Sequence, residues 1–292
     1  MSLKPLRLNK HEDRRLRAGH VWVFSNEVDT RATPLAQFEP GEPVLIEASG
    51  GHVLGTGYVN PHALICARLV SRDPGYVLDQ SLITHRLNIA LSLRTRLFDA
   101  PYYRLAFGDS DALPGLVIDR YSDVVVAQIT TAGMERLKTE IVAALEKVIK
   151  PRVVIFRNDT STRALEGLPS YVETAVGEAP DHLMVEENDV RFEVAPLTGQ
   201  KTGWFYDQRL NRTRLRHYVK GTRVLDVFSY VGAWGVQAAA AGAESVLCVD
   251  SSPQAVEAIR TNAARNDVTD RVTAERDDAF EALRKLRAAR ER

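Results

Sequence analysis

A strand–helix–strand pattern near the carboxyl end of the chain constrains the fold most strongly. The apolar run 224–228 contains Asp226 and is followed by a turn of small residues; the stretch 234–241, rich in helix formers, then leads to a second apolar run that ends in Asp250. This order is typical of a βαβ unit, with two parallel strands and a helix packed on them. Such units bind an adenosine-containing cofactor at the carboxyl ends of their strands.

The turn after Asp226 distinguishes between two classes of cofactor. Dinucleotide-binding turns carry three glycines in the pattern G-x-G-x-x-G so that the backbone can approach a pyrophosphate, whereas this turn has only Gly232 and Gly235. S-adenosylmethionine has no pyrophosphate; it has an amine and a carboxylate on its methionine end and a ribose diol. The turn therefore favours S-adenosylmethionine over NAD or FAD, and a nicotinamide-dependent oxidoreductase is the weaker alternative.

Three aspartates follow predicted strands and are candidate cofactor ligands. Asp226 is expected to accept the amine, while backbone N–H groups between Tyr230 and Gly232 are expected to meet the carboxylate. Asp250 lies 24 residues after Asp226, near the spacing of an acid that binds both ribose hydroxyls. Asp278, after the third predicted strand, is expected to accept the adenine amino group.

Each of these assignments has a structural alternative. The aspartates would otherwise cap helices or end strands, and Asp277 competes with Asp278 for the position after the third strand. Phe228 and Tyr230 lie either in the core or beside the cofactor.

The composition predicts a soluble protein of two or three domains. Of its 292 residues, 45% are hydrophobic and 26% are charged, and its apolar runs are too short to cross a membrane. Cys66 and Cys248 are too few for a disulfide framework, so a cytoplasmic location is expected. Histidine and cysteine show no metal-ligand spacing, and we expect no metal. The formal net charge of zero argues against a wholly basic nucleic-acid binder but leaves room for local basic patches.

The chain divides into three predicted segments that together define an α/β protein. Residues 1–73 contain short strands separated by glycine and proline, which indicates a small β domain or barrel. Residues 74–195 combine helices near 78–98 and 134–149 with several strands, an α+β pattern. Residues 196–292 contain the βαβ unit, a third strand and a last helix, the first half of a Rossmann-like domain.

Five stretches of the chain resemble one enzyme family. The run 199–212, Gly-Gln-Lys-Thr-Gly-Trp-Phe-Tyr-Asp-Gln-Arg-Leu-Asn-Arg, followed by 226–232, closely resembles the bacterial large-subunit ribosomal RNA cytosine-5 methyltransferases that carry an N-terminal PUA domain. Residues 20–25 resemble the PUA signature, 104–120 the start of the family's middle domain, and 276–280 its adenine-binding strand end. The matches occur in the family's order along nearly the whole chain.

The resemblance implies an S-adenosylmethionine-dependent RNA methyltransferase with a PUA-like barrel, ribosomal RNA as its partner and a tendency to form homodimers. In the family, the Lys-Thr-Gly…Asp-Gln-Arg segment lies against the cofactor cleft. Lys201 and Arg209 are therefore expected to contact the cofactor carboxylate or an RNA phosphate. The alternative for this segment is a solvated basic linker, supported by the charge that follows it at Arg212, Arg214, Arg216, Lys220 and Arg223.

A PUA-like domain would bind structured RNA through a basic face. Basic residues at the start of the chain suit phosphate contacts, which position RNA without reading its sequence. Trp22 and Phe24 are expected in the core rather than as stacking surfaces. The basic residues are Lys4, Arg7, Lys10, Arg14, Arg15 and Arg17.

The resemblance also implies catalytic elements that this sequence does not contain. The family uses a cysteine thiolate, which adds to carbon 6 of cytosine, and an Asp-Pro-Pro motif, both after the fourth strand. Cys66 and Cys248 both lie in apolar runs and are not expected to substitute. We therefore expect a fragment, or a chain whose first parallel strand is an exposed edge covered by another chain. The alternative is an RNA-binding module without catalysis.

Overall fold

The computed structural model describes residues 3–200 and 202–289. The chain forms two compact units, Met1–Ala179 and Pro180–Arg292. Among the residues described, no helix is both long enough and apolar enough to cross a bilayer. The same residues contain no group of three or more His, Cys, Asp or Glu side chains that could hold a metal ion.

The first unit begins with a five-stranded barrel-like sheet in the order β1-β3-β4-β5-β2. Its core consists mainly of leucine, isoleucine and valine side chains; buried and half-buried positions alternate along β3, whereas β4 is buried throughout its last six residues. The first strand was not predicted, because charged residues bracket its short apolar segment. The elements are β1 (Lys4–Arg7), α1 (Asp13–Arg17), β2 (Trp22–Val23), β3 (Glu42–Glu47), β4 (Val53–Val59) and β5 (Ala67–Ser71).

A second five-stranded sheet completes the first unit, in the order β10-β9-β8-β7-β6. Only β8 and β9 are parallel, and the two helices between them provide the crossover. The helix predicted near 134–149 is divided into two. The elements are α2 (Gln80–Leu97), β6 (Tyr102–Phe107), β7 (Leu116–Tyr121), β8 (Val124–Ile129), α3 (Ala132–Glu135), α4 (Lys138–Val148), β9 (Val153–Asn158) and β10 (Tyr171–Val176).

The second unit contains a β-hairpin and a parallel three-stranded sheet in the order β13-β14-β15. Strand β13 is an edge strand among the described residues, as expected from the sequence. The elements are β11 (Leu183–Glu187), β12 (Val190–Val194), α5 (Arg209–Leu215), β13 (Arg223–Val227), α6 (Gly235–Ala240), β14 (Ser245–Asp250), α7 (Pro253–Arg265), β15 (Val272–Arg276) and α8 (Ala279–Ala288).

The hairpin of β11 and β12 belongs to the second unit. Asn262 of α7 is fully buried, accepts a hydrogen bond from the Glu193 backbone N–H (2.7 Å) and donates to the Glu193 carbonyl (3.3 Å). The segment boundary predicted after residue 195 therefore differs from the division after Ala179, because the hairpin packs on a helix that follows it by some 60 residues in the chain.

Candidate cofactor site

The three candidate aspartates lie at one edge of the parallel sheet. Asp226 is the penultimate residue of β13, Asp250 is the last residue of β14, and Asp278 lies two residues after β15. The backbone N–H of Asp277 donates to the Asp250 carbonyl (3.2 Å), which joins the ends of β14 and β15. Because the strands are parallel, their carboxyl ends meet at the same edge.

Asp226 holds its helix against the sheet. Its Oδ2 accepts a hydrogen bond from the Gly235 N–H at the start of α6 (2.9 Å), and its carbonyl accepts one from Ser229 Oγ (2.6 Å). Burial raises the pKa of the Asp226 carboxyl to about 6, and the charge of Asp250 acts in the same direction. A cation beside Asp226 would favour the ionised form of its carboxyl group.

The absence of a side chain at Gly235 allows this close packing. A Cβ at this position would lie 2.3 Å from Cys248 Sγ and 3.2 Å from Asp226 Oδ2. We expect Gly235→Ala to lower the free energy of unfolding by about 1–3 kcal/mol, the usual effect of overpacking, although alanine is the better helix former. Urea unfolding tests this, and adding Cys248→Ala should recover part of the loss. A Gly235→Ala variant as stable as the wild type would contradict this packing.

Asp250 organises the turn after β13. Its Oδ2 accepts from the Tyr230 N–H (2.9 Å) and its Oδ1 from the Ser252 N–H (2.9 Å). Both oxygens of the predicted ribose ligand thus already accept one backbone hydrogen bond each. Each carboxylate oxygen has a second acceptor site, so the side chain can still bind a diol.

The turn itself is conformationally unusual. Phe228 (φ 60°) and Tyr230 (φ 51°) adopt left-handed backbone conformations, which are uncommon for aromatic residues and recur at functional sites. The Gly232 N–H donates to the Ser229 carbonyl (2.8 Å). With the Tyr230 N–H bound to Asp250, the Val231 N–H is the one of the three predicted amides without an acceptor among the described residues.

The Tyr230 side chain contacts residues of the 199–212 run. Its hydroxyl accepts from the Gln200 N–H (3.1 Å) and donates to the Gly203 carbonyl (3.2 Å), and its ring meets Phe205 edge-on with 5.8 Å between centroids. The half-buried ring joins Gln200, Gly203 and Phe205 to the turn, and the position of Tyr230 beside the cofactor stays a prediction.

Asp278 caps the last helix. Its Oδ1 accepts from the N–H groups of Phe280 (2.9 Å) and Glu281 (3.2 Å), which is the structural alternative anticipated for this residue. The second carboxylate oxygen, Oδ2, takes no part in these capping hydrogen bonds. Asp277, the competing acid, pairs with Lys285 (2.6 Å).

Two exposed aromatic rings lie next to these acids. Phe228 is 70% exposed and Phe280 is 64% exposed, and their rings are in edge-to-face contact with 6.5 Å between centroids. Phe228 is thus not a core aromatic. Phe280 was not predicted as a site residue, although it lies in the 276–280 stretch that carried the family resemblance.

Of the two predicted basic site residues, Lys201 and Arg209, the structure describes one. Lys201 lies outside the described residues. Arg209 is the half-buried first residue of α5, and its carbonyl accepts from Thr213 Oγ1 (3.0 Å).

Arg212, by contrast, is only 1% exposed and pairs with Glu187 through Nε–Oε1 (2.5 Å) and Nη2–Oε2 (2.9 Å). The alternative of a solvated linker is therefore wrong for Arg212. Glu187 is buried too, and sequence reasoning missed this pair.

Neither cysteine is suited to nucleophilic attack. Cys66 and Cys248 are fully buried, and burial raises the pKa of each thiol to about 12, so both remain protonated near neutral pH. This agrees with the expectation from their apolar sequence context.

Most of the basic residues near the amino terminus are ion-paired. The pairs are Lys4–Glu42 (2.8 Å), Arg7–Glu47 (3.2 Å), Arg15–Glu27 (2.7 Å) and Arg17–Asp13 (2.5 Å). Lys10 and Arg14 are the two of the six without a carboxylate partner among the described residues, and the phosphate-binding face stays a prediction.

The two aromatic residues of the PUA-like signature are not core residues. Trp22 is 39% exposed, and its predicted core position is therefore wrong. The reason is that β2 contributes only two residues to the sheet, and Trp22 is the outward-facing one. Phe24 is half-buried beneath the Arg15 guanidinium, 5.0 Å from the ring centroid.

Two protein families match the chain, one in its amino-terminal part and one in its carboxyl-terminal part. Residues 6–72 match the PUA-like domain family and residues 164–290 match the S-adenosylmethionine-dependent methyltransferase family. The protein is thus an S-adenosylmethionine-dependent methyltransferase with an N-terminal PUA-like domain, and the predicted cofactor is confirmed.

The most informative relatives are named ribosomal RNA large subunit methyltransferase I. The one from Aliivibrio fischeri is 37% identical over 286 residues, which cover 96% of this chain and 71% of the relative. The one from Shewanella frigidimarina is 35% identical, with coverages of 97% and 72%. The chain belongs to the ribosomal RNA large subunit methyltransferase I family, and the resemblance seen in the sequence is confirmed.

Solved structures agree with the predicted fold class. An S-adenosylmethionine-dependent methyltransferase from Streptococcus mutans superposes with a TM-score of 0.82 at 22% identity, over 99% of this chain and 74% of that one. A methyltransferase complexed with SAH superposes with a TM-score of 0.85, also at 22% identity, over 99% and 73%.

Proposed function

We propose that the protein transfers the methyl group of S-adenosylmethionine to large-subunit ribosomal RNA, at carbon 5 of a cytosine. The observation that carries the proposal is the convergence of Asp226, Asp250 and Asp278 at one sheet edge, in a chain of this family. The pure RNA-binding alternative is not favoured, because the chain matches the methyltransferase family through the whole of this site.

The described residues fit the parts of the cofactor. A buried carboxylate at Asp226 suits an ammonium group, and the Val231 N–H suits a carboxylate. When bound, the cofactor supplies an electrophilic methyl group on a sulfonium. The further assignments are Asp250 to the ribose, Asp278 Oδ2 to the adenine amino group, Phe228 and Phe280 to the adenine ring, Tyr230 and Gly232 to the shape of the turn, and Lys201 and Arg209 to the cofactor carboxylate or an RNA phosphate.

Replacement of Asp250 tests the ribose assignment. We expect Asp250→Ala to weaken S-adenosylmethionine binding by about 1.5–3 kcal/mol, because a charge-assisted hydrogen bond to the diol is lost and the Tyr230 and Ser252 N–H groups lose their acceptor. Isothermal titration calorimetry measures the change. Glu257→Ala, an exposed acid on α7, is the matched control and should bind as the wild type does. An unchanged dissociation constant for Asp250→Ala would remove this residue from the site.

The choice of carbon 5 of cytosine is supported by the resemblance of the 199–212 run. That chemistry needs a thiolate to add to carbon 6 of the base, and the pKa of neither Cys66 nor Cys248 permits this role. Radiolabelled S-adenosylmethionine and protein-free large-subunit ribosomal RNA, followed by nucleoside analysis, test the assignment. Labelled 5-methylcytidine would support the choice of base and would require a nucleophile other than Cys66 and Cys248; a different labelled nucleoside would refute the choice. Cofactor and RNA binding without methyl transfer would favour the module without catalysis.

Three assignments rest on the sequence alone. We propose residues 1–73 as the PUA-like RNA-binding segment, 74–195 as the middle segment and 196–292 as the cofactor-binding segment. A homodimer is proposed on the family resemblance and is tested by sedimentation equilibrium. A cytoplasmic location stays a prediction from the cysteine content.

A further inference from the structure

Two exposed aromatic residues of the first unit flank a single turn. Trp22 on β2 is 39% exposed, and Phe107 at the end of β6 is 52% exposed. The Trp22 indole N–H donates to Asp109 Oδ2 (2.9 Å), and the Phe107 backbone N–H donates to Asp111 Oδ2 (2.7 Å). Because Asp109 is two residues from Phe107, their Cα atoms are no more than about 8 Å apart. Both residues therefore lie at the same turn, Phe107 at its start and Trp22 hydrogen-bonded to the side chain of Asp109 within it.

The Phe107 ring is held by a fixed cation. The Arg104 guanidinium lies over it, 5.2 Å from the ring centroid, and is itself paired with the fully buried Asp119 through two hydrogen bonds (2.8 and 2.9 Å). Asp111 is paired in the same bidentate manner with Arg94 (2.5 and 2.7 Å). These pairs neutralise two carboxylates beside the turn and fix the position of the ring.

Two further arginines of the first unit have carbonyl partners. Arg72 donates to the carbonyls of Leu16 (2.7 Å) and His20 (3.2 Å), and Arg86 donates to the carbonyl of Val70 (2.5 Å). Within the described part of the chain, neither has a carboxylate partner. Arg72 is exposed, so its charge is available to an anion.

The barrel-like sheet that carries Trp22 is locked to the sheet that carries Phe107. The Tyr58 ring packs against Gly133, where a Cβ would lie 2.2 Å from a ring carbon, and its hydroxyl donates to the Pro114 carbonyl (2.9 Å). Glu166 accepts a hydrogen bond from Arg68 (2.8 Å), and Arg68 on β5 is the strand partner of Trp22 on β2. These contacts thus fix the two sheets, one carrying Trp22 and the other Phe107, relative to each other before any ligand binds.

We propose that Trp22 and Phe107 form a stacking surface for unpaired bases of the RNA substrate, with Arg72 contacting an adjacent phosphate. Aromatic rings stack on bases that are not paired in a helix, and preorganised rings lose little conformational entropy on binding. The proposal rests on the proposed RNA substrate and adds to it a surface outside the cofactor-binding unit.

The test uses a ten-nucleotide single-stranded RNA and the same strand with abasic sites at its central positions. Trp22→Ala and Phe107→Ala should each bind the base-bearing strand about tenfold more weakly than the wild type, as expected for the loss of one stacked base. Both variants should bind the abasic strand as the wild type does, because phosphate contacts remain. Trp22→Phe, which retains an aromatic ring, should recover most of the lost affinity.

Val172→Ala is the matched control, since this exposed apolar residue lies on β10, at the opposite edge of the sheet from β6. It should bind both strands normally, and all variants should bind S-adenosylmethionine normally. Wild-type affinity of Trp22→Ala and Phe107→Ala for the base-bearing strand would overturn the stacking surface. If the wild type methylates ribosomal RNA but does not bind the oligonucleotide, the stacking surface is refuted and the proposed function stands. If the oligonucleotide binds in a manner that depends on Trp22 but no RNA is methylated, the stacking surface stands and the proposed function is refuted.

Discussion

Replacement of Glu187 by alanine is expected to lower the free energy of unfolding of the second unit by about 3–5 kcal/mol. The change removes one partner of a buried ion pair and leaves the Arg212 guanidinium in the interior without its counter-charge, which is among the most destabilising changes a folded chain can undergo. Urea unfolding of the complete chain, followed by intrinsic tryptophan fluorescence, measures the loss, because Trp204 lies in the same cluster.

The size of the effect follows from the number of bonds that end on Glu187. Oε1 accepts from Arg212 Nε (2.5 Å) and Gln237 Nε2 (2.9 Å), while Oε2 accepts from Arg212 Nη2 (2.9 Å) and Trp204 Nε1 (3.1 Å). The acceptor capacity of the carboxylate is thus filled by three side chains from three parts of the unit. The Arg212 guanidinium also stacks on Trp204, 4.8 Å from the ring centroid.

A double variant separates the loss of a counter-charge from the loss of packing. Glu187→Leu combined with Arg212→Leu should recover at least half of the stability lost in Glu187→Ala, because apolar replacement of both partners leaves no unpaired charge. Arg216→Ala is the control: its pair with Asp189 (3.4 Å) is exposed and should contribute less than about 1 kcal/mol. A Glu187→Ala variant no less stable than Arg216→Ala would refute the role given to this pair.

The sequence predicted the elements whose residues are adjacent in the chain. The βαβ unit is local, so its strands, its helix and the positions of Asp226 and Asp250 could all be read from the order of apolar and small residues. Strands β6 and β10 are the two edges of their sheet. Arg104 interrupts β6, and Glu173 and Thr174 interrupt β10, so neither has the continuous apolar run of a central strand such as β8. Their strand character depends on partners elsewhere in the chain.

The candidate site was predictable as a set of acids but not as a set of contacts. Arg212 lies in a run of arginines that is typical of a solvated face, and only its partner Glu187, 25 residues earlier, permits its burial. The hydroxyl contacts of Tyr230 depend likewise on a segment 27 to 30 residues away. Sequence patterns report which residue types are present at strand ends, whereas the hydrogen bonds that fix them come from tertiary packing.

Replacement of Asp226 by asparagine is expected to change cofactor binding and stability in opposite directions. Asparagine keeps an oxygen acceptor for the Gly235 N–H but removes the charge. S-adenosylmethionine should therefore bind more weakly by about 4 kcal/mol, the attraction between two unit charges about 4 Å apart at an effective dielectric constant of about 20. S-adenosylhomocysteine retains the amine, so its affinity should fall by a similar amount. The ligand-free variant should be more stable than the wild type at pH 7, because it no longer buries an ionised carboxylate.

The pH dependence of stability provides the second arm of this test. The folded pKa of Asp226, about 6, lies above the value of about 3.9 for an unfolded aspartate. The folded protein therefore binds the proton more tightly, and its contribution to stability, about 2–3 kcal/mol, is complete below pH 4 and is lost as the pH rises through 6. Subtracting the unfolding curve of Asp226→Asn from that of the wild type should isolate this slope. If Asp226→Asn binds S-adenosylmethionine as tightly as the wild type while the slope disappears, the carboxylate is a buried structural acid and the amine must have another partner.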